Sequence, residues 1–290
     1  MPAAGSLATL AGLAALCGSG PLDILLTNDD GVDAVGVRAL RAQLQAAGHR
    51  VTLAAPDRNA SGSGMSFTWG NVRVLRDPQD ASVFAIGGSP ATTVVLAATA
   101  LYPAGRRPDL VISGINHGSN AGSLLMLSGT VGAALAGTLL LDPPVPGLAV
   151  NAERLHGDQP VDSPANRAQY EAVGAHLARV VTATRGWFCD GGKVAHPRTV
   201  LNVNYPAVAV PQIRGTRLAR QGSITDLRVS FTKTTEGEYR AQTTSVAAAD
   251  GNDTDNHWLQ QGYVTVTPLS GDLSDTTAPA SNLKQRLRGL

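Results

Sequence analysis

Up to residue 204, hydrophobic residues fall into two kinds of segment. Short, almost continuous apolar runs predict buried strands at Asp23–Thr27, 51–55, 108–116, 147–151 and 199–204. Longer segments with helical spacing predict helices at 35–47, 90–101, 130–141 and 165–184. Two more short runs, at 72–75 and Val83–Ile86, resemble the arms of a hairpin. Because strands and helices alternate, the pattern predicts an α/β fold with a mainly parallel sheet and helices on both faces.

The pattern changes at about residue 214. From there to about residue 246, polar and β-branched residues alternate, which indicates a β-rich extension rather than another strand–helix unit. The segment GYVTVTPL at 262–269 predicts a closing strand, and residues 281–290 predict a short terminal helix. We therefore predict a core at residues 23–213 and a β-rich extension at residues 214–290. Residues 218–246 have too few large apolar residues for a core of their own, so we expect this stretch to pack against a second subunit.

Residues 1–22 form a third part, an N-terminal extension without a charged residue. Residues 7–16 resemble the apolar core of an export signal, but the run is too short to span a bilayer and no Lys or Arg precedes it. A remnant of an export signal and a dangling extension both fit this pattern. If residues 1–20 are an export remnant, we expect no necessary contact with the core that begins at Asp23, and removal of these residues should leave activity and melting temperature unchanged. We then also expect no bridge between Cys17 and Cys189.

Composition narrows the possible classes of function. A hydrophobic share of 43% in 290 residues is ample for a packed core, which excludes overall disorder. The net charge is only +1 and there is no run of Lys or Arg, so we expect no binding to a nucleic-acid duplex. We also expect no membrane span, because no segment approaches the required length. The two cysteines match no metal-binding spacing.

Two adjacent carboxylates, Asp29 and Asp30, follow the first predicted strand. Asp is common in turns and at helix caps, and that interpretation of the pair stays open. The alternative is a site for a hard divalent cation, which prefers oxygen ligands. The segment NDDGVDAVG is not an EF-hand, because it lacks the alternating ligands and the closing Glu. A phosphatase motif of the Asp-x-Asp type also fits poorly, since Asp33 lies three residues beyond Asp30.

Three more polar clusters follow predicted strands or precede a predicted helix. They are Asn59, Ser61 and Ser63; Asn116, His117 and Asn120; and Ser128, Gly129 and Thr130. Taken singly, each has an ordinary explanation as a flexible loop, a solvated histidine or a helix cap. Ligands of parallel sheets, however, bind beyond the carboxyl ends of the strands, and the N–H groups at a helix start bind phosphate. The last cluster is not a P-loop, because it has no Lys.

The segments LLTNDDG, APDRNASG, SGINHGSN and SGTVGAALAG occur in this order, each after a predicted strand or at the start of a helix. Together they resemble the SurE (survival protein E) family of nucleotidases. With GSPATTVVLA, LNVNYP and GYVTVTPLSGDLS, the resemblance extends over about residues 23–274. It implies a Rossmann-like three-layer core and a β-rich extension exchanged between the subunits of a homodimer or homotetramer. It also implies a cytoplasmic protein, with export as the alternative because of the apolar N-terminal run.

The same resemblance implies a metal-dependent phosphomonoesterase that hydrolyses nucleoside 5′- and 3′-monophosphates. One divalent cation, Mg²⁺ or Mn²⁺, is implied at Asp29, Asp30, Ser61 and Asn116. The implied catalytic residues are Asp29 and Asp30, and the phosphate is expected at Asn116, Ser128, Gly129 and Thr130. We favour attack by water, with Asp29 as its orienting base or as a ligand, although direct attack by an Asp stays open. A non-catalytic nucleotide-binding module and a haloacid-dehalogenase-like phosphatase are the alternatives.

The sequence departs from the family pattern at a few positions. Met65 stands where a His is common, and Thr92 stands where an Asp is usual. The segment between Asn120 and Ser128 lacks the acidic residues often found there. None of these positions is an implied cation ligand. The departures therefore bear on substrate preference and subunit contacts more than on hydrolysis itself.

Overall fold

The computed structural model describes residues 15–103, 105–190, 192–223, 227–245 and 251–273. The strands are β1 (Asp23–Thr27), β2 (Arg50–Pro56), β3 (Val74–Arg76), β4 (Val83–Ile86), β5 (Leu110–His117), β6 (Gly147–Ala152), β7 (Cys189–Asp190), β8 (Lys193–Val194), β9 (Val200–Tyr205), β10 (Thr216–Leu218), β11 (Leu227–Thr235), β12 (Glu238–Ser245) and β13 (Val264–Leu269). The α-helices are α1 (Val35–Ala46), α2 (Pro90–Leu96), α3 (Gly129–Leu139), α4 (Pro164–Arg185) and α5 (Asp255–Gln260).

Within the described residues, a nine-stranded sheet with the order β10-β13-β9-β6-β5-β1-β2-β4-β3 forms the centre of the protein. The neighbours from β9 to β4 run parallel, whereas β3 and β13 pair antiparallel with β4 and β9. The chain continues from β1 to β2 on one side, and β5 lies on the other side of β1. The switch point of the sheet therefore lies between β1 and β5. The predicted α/β fold with a mainly parallel sheet is confirmed.

Helices cover both faces of this sheet and make a three-layer structure. Helices α1 and α4 pack together on one face, and α2 and α3 pack together on the other. Successive side chains of β1 point to opposite faces: Ile24 and Leu26 join the core under α1 and α4, and Leu25 joins the core under α2 and α3. In the described part of the chain, no helix is long and apolar enough to cross a membrane.

Most predicted elements lie within a few residues of the observed ones. The predicted helix 90–101 is α2 followed by a π-helical turn at Ala97–Leu101. The hairpin-like pair is an edge of the central sheet, since β4 also pairs in parallel with β2. The predicted closing strand is β13, and with β10 it continues the central sheet beyond residue 214. The division into core and extension stays a prediction, and the helix expected at 281–290 lies outside the described residues.

The expectation that Cys17 and Cys189 remain unpaired is wrong. The two cysteines form a disulfide, with their Cα atoms 5.7 Å apart. Cys189 begins β7, which follows α4 after one turn of 3₁₀ helix. Because 172 residues separate the cysteines, no local pattern reveals the pairing; only the packing of α4 brings the end of this helix to the N-terminal segment.

The segment before β1 also packs against the core, so the expectation of no necessary contact is wrong for residues 15–20. Leu16 is fully buried in the same core cluster as β1. The guanidinium of Arg185, at the end of α4, donates hydrogen bonds to the backbone carbonyls of Ala15, Leu16 and Gly20. Residues 1–14 lie outside the described part of the chain.

Strands β11 and β12 pair with each other in a separate hairpin. Every residue from 228 to 242 is exposed. The register places Val229, Phe231 and Tyr239 on one face of the hairpin, where they are 55%, 68% and 63% exposed. A lone two-stranded hairpin is marginally stable in water. Among the described residues, nothing covers the apolar face of this hairpin, so the hairpin lacks the packing that would stabilise it.

Candidate active site

The predicted site residues lie at the carboxyl edge of the sheet, beside the switch point. Asp29 and Asp30 follow β1, and Asn116 and His117 are the last residues of β5. Since β1 and β5 are adjacent parallel strands, their carboxyl ends lie side by side. Switch points of parallel sheets form a crevice in which ligands bind.

Contacts from three elements hold the turn that carries the two carboxylates. The side chain of Asn28 donates to the Gly31 carbonyl at 2.9 Å and accepts from the Gly31 N–H at 3.2 Å, which closes the turn. The hydroxyl of Thr130, in the first turn of α3, donates to Asp29 Oδ1 at 2.5 Å. The Ala60 N–H, from the loop after β2, donates to the Asp29 carbonyl at 2.7 Å. The turn is thereby fixed to both α3 and the neighbouring loop.

Both carboxylates are buried, and Asp30 lacks a partner for one oxygen. The Asp30 side chain is only 6% exposed. Burial raises the pKa of Asp30 to about 7, and the charge of Asp29 adds to the effect. Burial also raises the pKa of Asp29, although hydrogen bonds from the Thr130 side chain and from backbone N–H groups oppose this. Asp30 Oδ2 is buried and has no hydrogen-bond partner among the described residues. Two buried acids with an unfilled acceptor fit a bound cation.

The end of β5 departs from regular pairing before it reaches Asn116. Its register with β6 shifts between Ser113 and Asn116. Gly114 has a φ of +133°, and a Cβ there would lie 2.2 Å from the Val150 carbonyl oxygen, so only glycine fits. The side-chain amide of Asn116 donates to the Gly118 carbonyl at 3.1 Å. These features fix the backbone and the carboxamide of Asn116 at the edge of the sheet.

His117 lies beside Asp30, with its Nδ1 3.4 Å from Asp30 Oδ1. Its ring contacts the ring of the buried Tyr170, with centroids 5.3 Å apart. Burial, helped by the charge of Arg154, lowers the pKa of His117 to about 4, so its imidazole is neutral at pH 7. From the sequence alone, a solvated histidine was one interpretation. The structure instead places His117 partly buried, next to a predicted catalytic residue.

Behind the site edge, four buried Asn side chains form a connected network. The Asn120 amide donates to Asn151 Oδ1 at 2.7 Å, and the Asn151 amide donates to Asn202 Oδ1 at 2.8 Å. Asn204 Oδ1 accepts from the Asn120 N–H at 2.8 Å. The network attaches the loop after β5 to β6 and β9. Of these four residues, only Asn120 was a candidate from its sequence cluster, although polar residues inside otherwise apolar strands, as in LNVNYP, were a signal for the others.

The start of α3 reaches the same carboxylate. Ser128 is the N-cap, since its Oγ accepts from the Val131 N–H at 3.1 Å. Gly129 follows, and a Cβ added to it would lie 2.8 Å from Asp29 Oδ2. Gly129 therefore lets the start of α3 lie directly against the carboxylate, where a side chain would collide. The cap interpretation of Ser128 is correct, and the backbone N–H groups of Gly129 and Thr130 donate to the Asp29 carboxylate.

Ser61 lies at the margin of this arrangement. It is exposed, and its N–H donates to Asn59 Oδ1 at 3.0 Å. The hydrogen bond of this loop to Asp29 is made by the backbone of Ala60. The structure therefore brings Asp29, Asp30, His117, Gly129 and Thr130 together, with Ser61 on a loop attached to the same turn.

The donor atoms available at this edge suit a hard cation. Within the described ranges, no group of three or more His, Cys, Asp and Glu side chains is placed to hold a metal ion. The site instead combines two carboxylates with neutral hydroxyl and carboxamide groups. Mg²⁺ and ions like it are bound in proteins through one or two carboxylates and further oxygens, whereas zinc sites use Cys and His.

Comparisons with known proteins agree with this arrangement. The family profile described as Survival protein SurE matches residues 24–226. The chain belongs to the SurE family. A protein of Haemophilus ducreyi named 5′-nucleotidase SurE is 35% identical over 260 residues, which cover 87% of this chain and 95% of that protein. A protein of the same name from Laribacter hongkongensis is 36% identical over 253 residues, covering 86% of this chain and 93% of that protein.

Among solved structures, the SurE protein from Aquifex aeolicus is similar to this chain. The TM-score is 0.71 at 30% identity, and the match covers 91% of this chain and 99% of the other. The SurE resemblance inferred from four short segments is therefore confirmed over nearly the whole described chain.

Proposed function

We propose that this SurE chain is a metal-dependent phosphomonoesterase that hydrolyses nucleoside 5′-monophosphates, and also 3′-monophosphates. The single observation that carries the proposal is the buried, unpartnered Oδ2 of Asp30 beside the buried Asp29. Burying an acid without a partner is unfavourable, so the arrangement is explained by a cation that occupies the site during function. The name 5′-nucleotidase of the Haemophilus ducreyi and Laribacter hongkongensis relatives supports the substrate class.

We assign one divalent cation, Mg²⁺ or Mn²⁺, to Asp29, Asp30, Asn116 and Ser61. When bound, such an ion supplies a Lewis acid that offsets the negative charge of a phosphoryl group. Thr130 holds Asp29 in a fixed orientation through its hydroxyl. His117 remains neutral beside Asp30, so it adds no positive charge that would oppose a cation. These side chains keep both acids in place before the ion arrives.

The phosphoryl group is assigned to the start of α3, beside Asp29. The positive end of the α3 dipole lies at Ser128, Gly129 and Thr130 and attracts an anion. Gly129 lets this end of the helix lie directly against the Asp29 side chain. Holding the phosphoryl group at this position brings it next to Asp29 and Asp30, where the burial of the site excludes bulk water from the two acids.

The nucleoside part is assigned to a cavity of about 400 Å³ beside the start of α3. Ser128 lines both this cavity and the phosphoryl position. The remaining walls are mainly apolar and include Met65, Leu125 and Val131, with Arg220 and Gln221 at their margin. Apolar walls with a few polar groups are typical of small-molecule sites and suit a base and sugar. This cavity favours nucleotides over small phosphate esters.

The assembly is assigned to the β11–β12 hairpin. Its exposed apolar face, with Val229, Phe231 and Tyr239, has the character of a surface that another subunit covers. We therefore propose a homodimer or homotetramer in which this hairpin packs against a second copy of the chain. A hairpin that reaches away from its own core is suited to such an exchange.

The family resemblance implies the cytoplasm, but the Cys17–Cys189 disulfide favours the exported alternative. Structural disulfides persist in oxidising compartments and are rare in the reducing cytosol. Blocking free thiols in intact cells of the source organism, before lysis, distinguishes the two. Export is supported if both cysteines escape the blocking reagent, and the cytoplasm is supported if both react.

The function is tested by measuring phosphate release from a panel of nucleoside monophosphates and p-nitrophenyl phosphate, with and without Mg²⁺ or Mn²⁺. We expect release that requires the ion, is fastest with nucleotides and is abolished by a chelator. Nucleotide binding without release would support the non-catalytic alternative. A phosphate group trapped covalently on an Asp would support the haloacid-dehalogenase-like alternative.

A further inference from the structure

Asp255, the first residue of α5, is a fully buried acid that none of the roles assigned so far uses. Its Oδ2 accepts from the Gly122 N–H at 3.1 Å. Its Oδ1 accepts from the Gly222 N–H at 2.9 Å, and also from the N–H of Asn256, its neighbour in α5, at 2.9 Å. One carboxyl group therefore joins two segments that are distant in sequence, the loop after β5 and the segment after β10.

Both segments border the cavity that we assign to the nucleoside. The first begins a 3₁₀ helix, Gly122–Leu127, which leads directly into α3. The second ends at Gly222. Residues of both segments line the cavity, namely Leu125, Met126, Arg220 and Gln221. Asp255 is not among the lining residues, so its carboxyl group supports the wall of the cavity and does not contact the ligand.

The segment at residues 219–222 depends on the start of α5 for its position. It lies between β10 and β11, outside the regular strands. The Arg220 carbonyl accepts from the Asp255 N–H at 2.9 Å. The Asp255 side chain extends this attachment to Gly222 and adds the link to the 3₁₀ helix. The carboxyl group therefore fixes how far apart the two segments lie.

This link needs the chemistry of a carboxyl group as well as its shape. A carboxylate accepts hydrogen bonds at both oxygens, whereas a carboxamide accepts at one oxygen and donates from its nitrogen. Asp255 uses one oxygen for each segment. An Asn at this position could satisfy one segment only, and its NH₂ group would face the backbone N–H of the other. A buried donor that faces another donor is unfavourable, so the two segments would move apart.

We propose that Asp255 is a positioning residue for the nucleoside, because its carboxyl group holds residues 220–222 beside the 3₁₀ helix and so sets the width of the cavity. This inference rests on the proposed nucleotidase function. It concerns recognition of the nucleoside rather than the chemistry at Asp29. The phosphoryl position at the start of α3 has its own attachment, the hydrogen bond from Thr130 to Asp29, and stays in place when the link is weakened.

The test compares the KM for adenosine 5′-monophosphate with the inhibition constant, Ki, of inorganic phosphate, for the full chain with saturating Mn²⁺. Inorganic phosphate has no nucleoside, so it reports the phosphoryl position alone. We expect Asp255→Asn to raise the KM roughly 10-fold, the loss of one hydrogen bond accepted by a carboxylate, and to change kcat and Ki by less than about 2-fold. A merely structural role would lower the melting temperature without changing the ratio of KM to Ki. A parental KM, or equal increases in KM and Ki, overturns the inference.

A second variant keeps the test decisive if Asp255→Asn does not fold. The Ser123 hydroxyl donates to the Ser223 carbonyl at 2.7 Å, which is another link between the same two segments. Because this link is exposed, its loss leaves the fold intact. We expect Ser123→Ala to raise the KM about 2- to 5-fold, the loss of one neutral hydrogen bond, with Ki unchanged. A parental KM in Ser123→Ala overturns the inference where Asp255→Asn cannot be measured.

Cys17→Ser is the control for lost stability. The Cys17–Cys189 disulfide lies beside the end of α4, on the face of the sheet opposite to α3, which lines the cavity. This variant loses stability without a change in the cavity, so it keeps the parental KM and Ki. An increase in KM equal to that of Asp255→Asn would show that lost stability alone raises the KM, which also overturns the inference.

The outcome for Asp255 is separable from the outcome for the proposed function. If the parent releases no phosphate from adenosine 5′-monophosphate, binding of this nucleotide is measured by titration calorimetry. A Kd that rises in Asp255→Asn then supports the positioning role, while the proposed hydrolysis fails. If the parent hydrolyses the nucleotide and Asp255→Asn has the parental KM, hydrolysis stands and the inference fails. If the parent neither binds nor hydrolyses the nucleotide, both fail.

Discussion

At the scale of single residues, Asp29 and Asp30 are adjacent in sequence but differ in their surroundings. Asp29 receives the Thr130 hydroxyl, whereas Asp30 Oδ2 receives no hydrogen bond from the described residues. The pKa of Asp30 is accordingly raised to about 7, above the usual range of an Asp. A group that is unfavourable as an anion in the free protein gains the most from a bound cation. We therefore expect a mutation that removes the charge of Asp30 to raise the stability of the metal-free protein while it lowers activity.

The first prediction concerns Asp30→Asn, which keeps the shape of the side chain and removes its charge. Removal of a group that only orients a metal ligand typically lowers metal affinity or activity by roughly 10- to 100-fold. Because Asp30→Asn changes a proposed ligand itself, we expect a larger loss of Mn²⁺ affinity and of turnover of nucleoside monophosphates. The metal-free variant should be more stable than the parent above pH 7, on the order of 1 kcal/mol, because the buried anion is gone. Titration calorimetry, phosphate release and urea unfolding give the three quantities.

Asp33→Asn is the matched control for this change. Asp33 is only three residues away, but its side chain is 88% exposed and pairs with Arg38 at 2.7 Å. We expect near-parental metal affinity and turnover. A parental rate for Asp30→Asn, or a greater loss for Asp33→Asn than for Asp30→Asn, contradicts the assignment of the cation site.

The second prediction is a pH dependence at the opposite edge of the sheet. Burial raises the pKa of Asp109 to about 6, although Arg50 and Arg185 partly oppose this. In the folded protein the protonated form is favoured, so the parent loses stability as the pH rises from about 4, the unfolded pKa, to about 6. Asp109→Asn removes this loss, while its Oδ1 can still accept the Asp23 N–H.

Between pH 4 and pH 6, the free energy of unfolding of Asp109→Asn should rise relative to that of the parent by on the order of 1 kcal/mol. Above pH 7, the difference between variant and parent should be constant. Urea unfolding at a series of pH values measures it. A difference for Asp109→Asn that is constant from pH 4 to pH 7 would show that Asp109 has no raised pKa.

At the scale of elements, the N-terminal segment behaves as a part of the core. Leu16 is buried under α4, Arg185 binds the carbonyls of the segment, and the Cys17–Cys189 disulfide closes the attachment. Removal of residues 1–20, which the sequence suggested to be without effect, also removes Leu16 and Cys17. We therefore expect this deletion to lower the free energy of unfolding rather than leave it unchanged.

The third prediction isolates the disulfide. Cys17→Ser and Cys189→Ser should each lower the free energy of unfolding by about 2–4 kcal/mol, the usual contribution of a disulfide that closes a long loop. Urea unfolding with and without a reductant measures it. Reductant should destabilise the parent to the same extent and leave both variants unchanged. Thiol titration of unfolded, non-reduced parent should find no free thiol; two free thiols would contradict the pairing.

At the scale of the whole molecule, helices cover both faces of the central sheet, whereas the β11–β12 hairpin is exposed. The central sheet includes β10 and β13 from the C-terminal part, so this part contributes to the core as well as to the hairpin. The apolar face of the hairpin is one of the exposed apolar surfaces of the described residues. The oligomer that we propose covers this face.

The fourth prediction tests that assembly. Phe231→Thr combined with Tyr239→Thr removes the two largest apolar side chains from the exposed face while keeping β propensity. We expect the variant to be a monomer in sedimentation equilibrium. Thr232→Ser, on the opposite face of β11, should keep the mass of the parent. Deletion of residues 223–249 should give monomer or insoluble protein. A double variant with the parental mass excludes the hairpin as the interface.

Much of the fold followed from local patterns. The alternation of apolar runs and helical spacing predicted the main strands and helices, because burial on both faces of a parallel strand leaves a continuous apolar run in the sequence. The features that local patterns did not predict depend on contacts with neighbouring strands. Polar Asn residues in β6 and β9 are satisfied by each other, and β4 pairs with β2 from outside its own predicted hairpin. Neither pairing is visible in a single segment.

By itself, the sequence determined the α/β architecture, the family and the edge of the sheet at which the polar clusters meet, since each follows from short segments in a fixed order. Only the tertiary structure decided which of these residues touch. Thr130 reaches Asp29 across 101 residues, and Cys17 reaches Cys189 across 172. The importance of His117 follows from its partly buried position beside Asp30. The physical reason is that burial and hydrogen bonding are set by the packing of distant segments, which spacing along one chain does not encode.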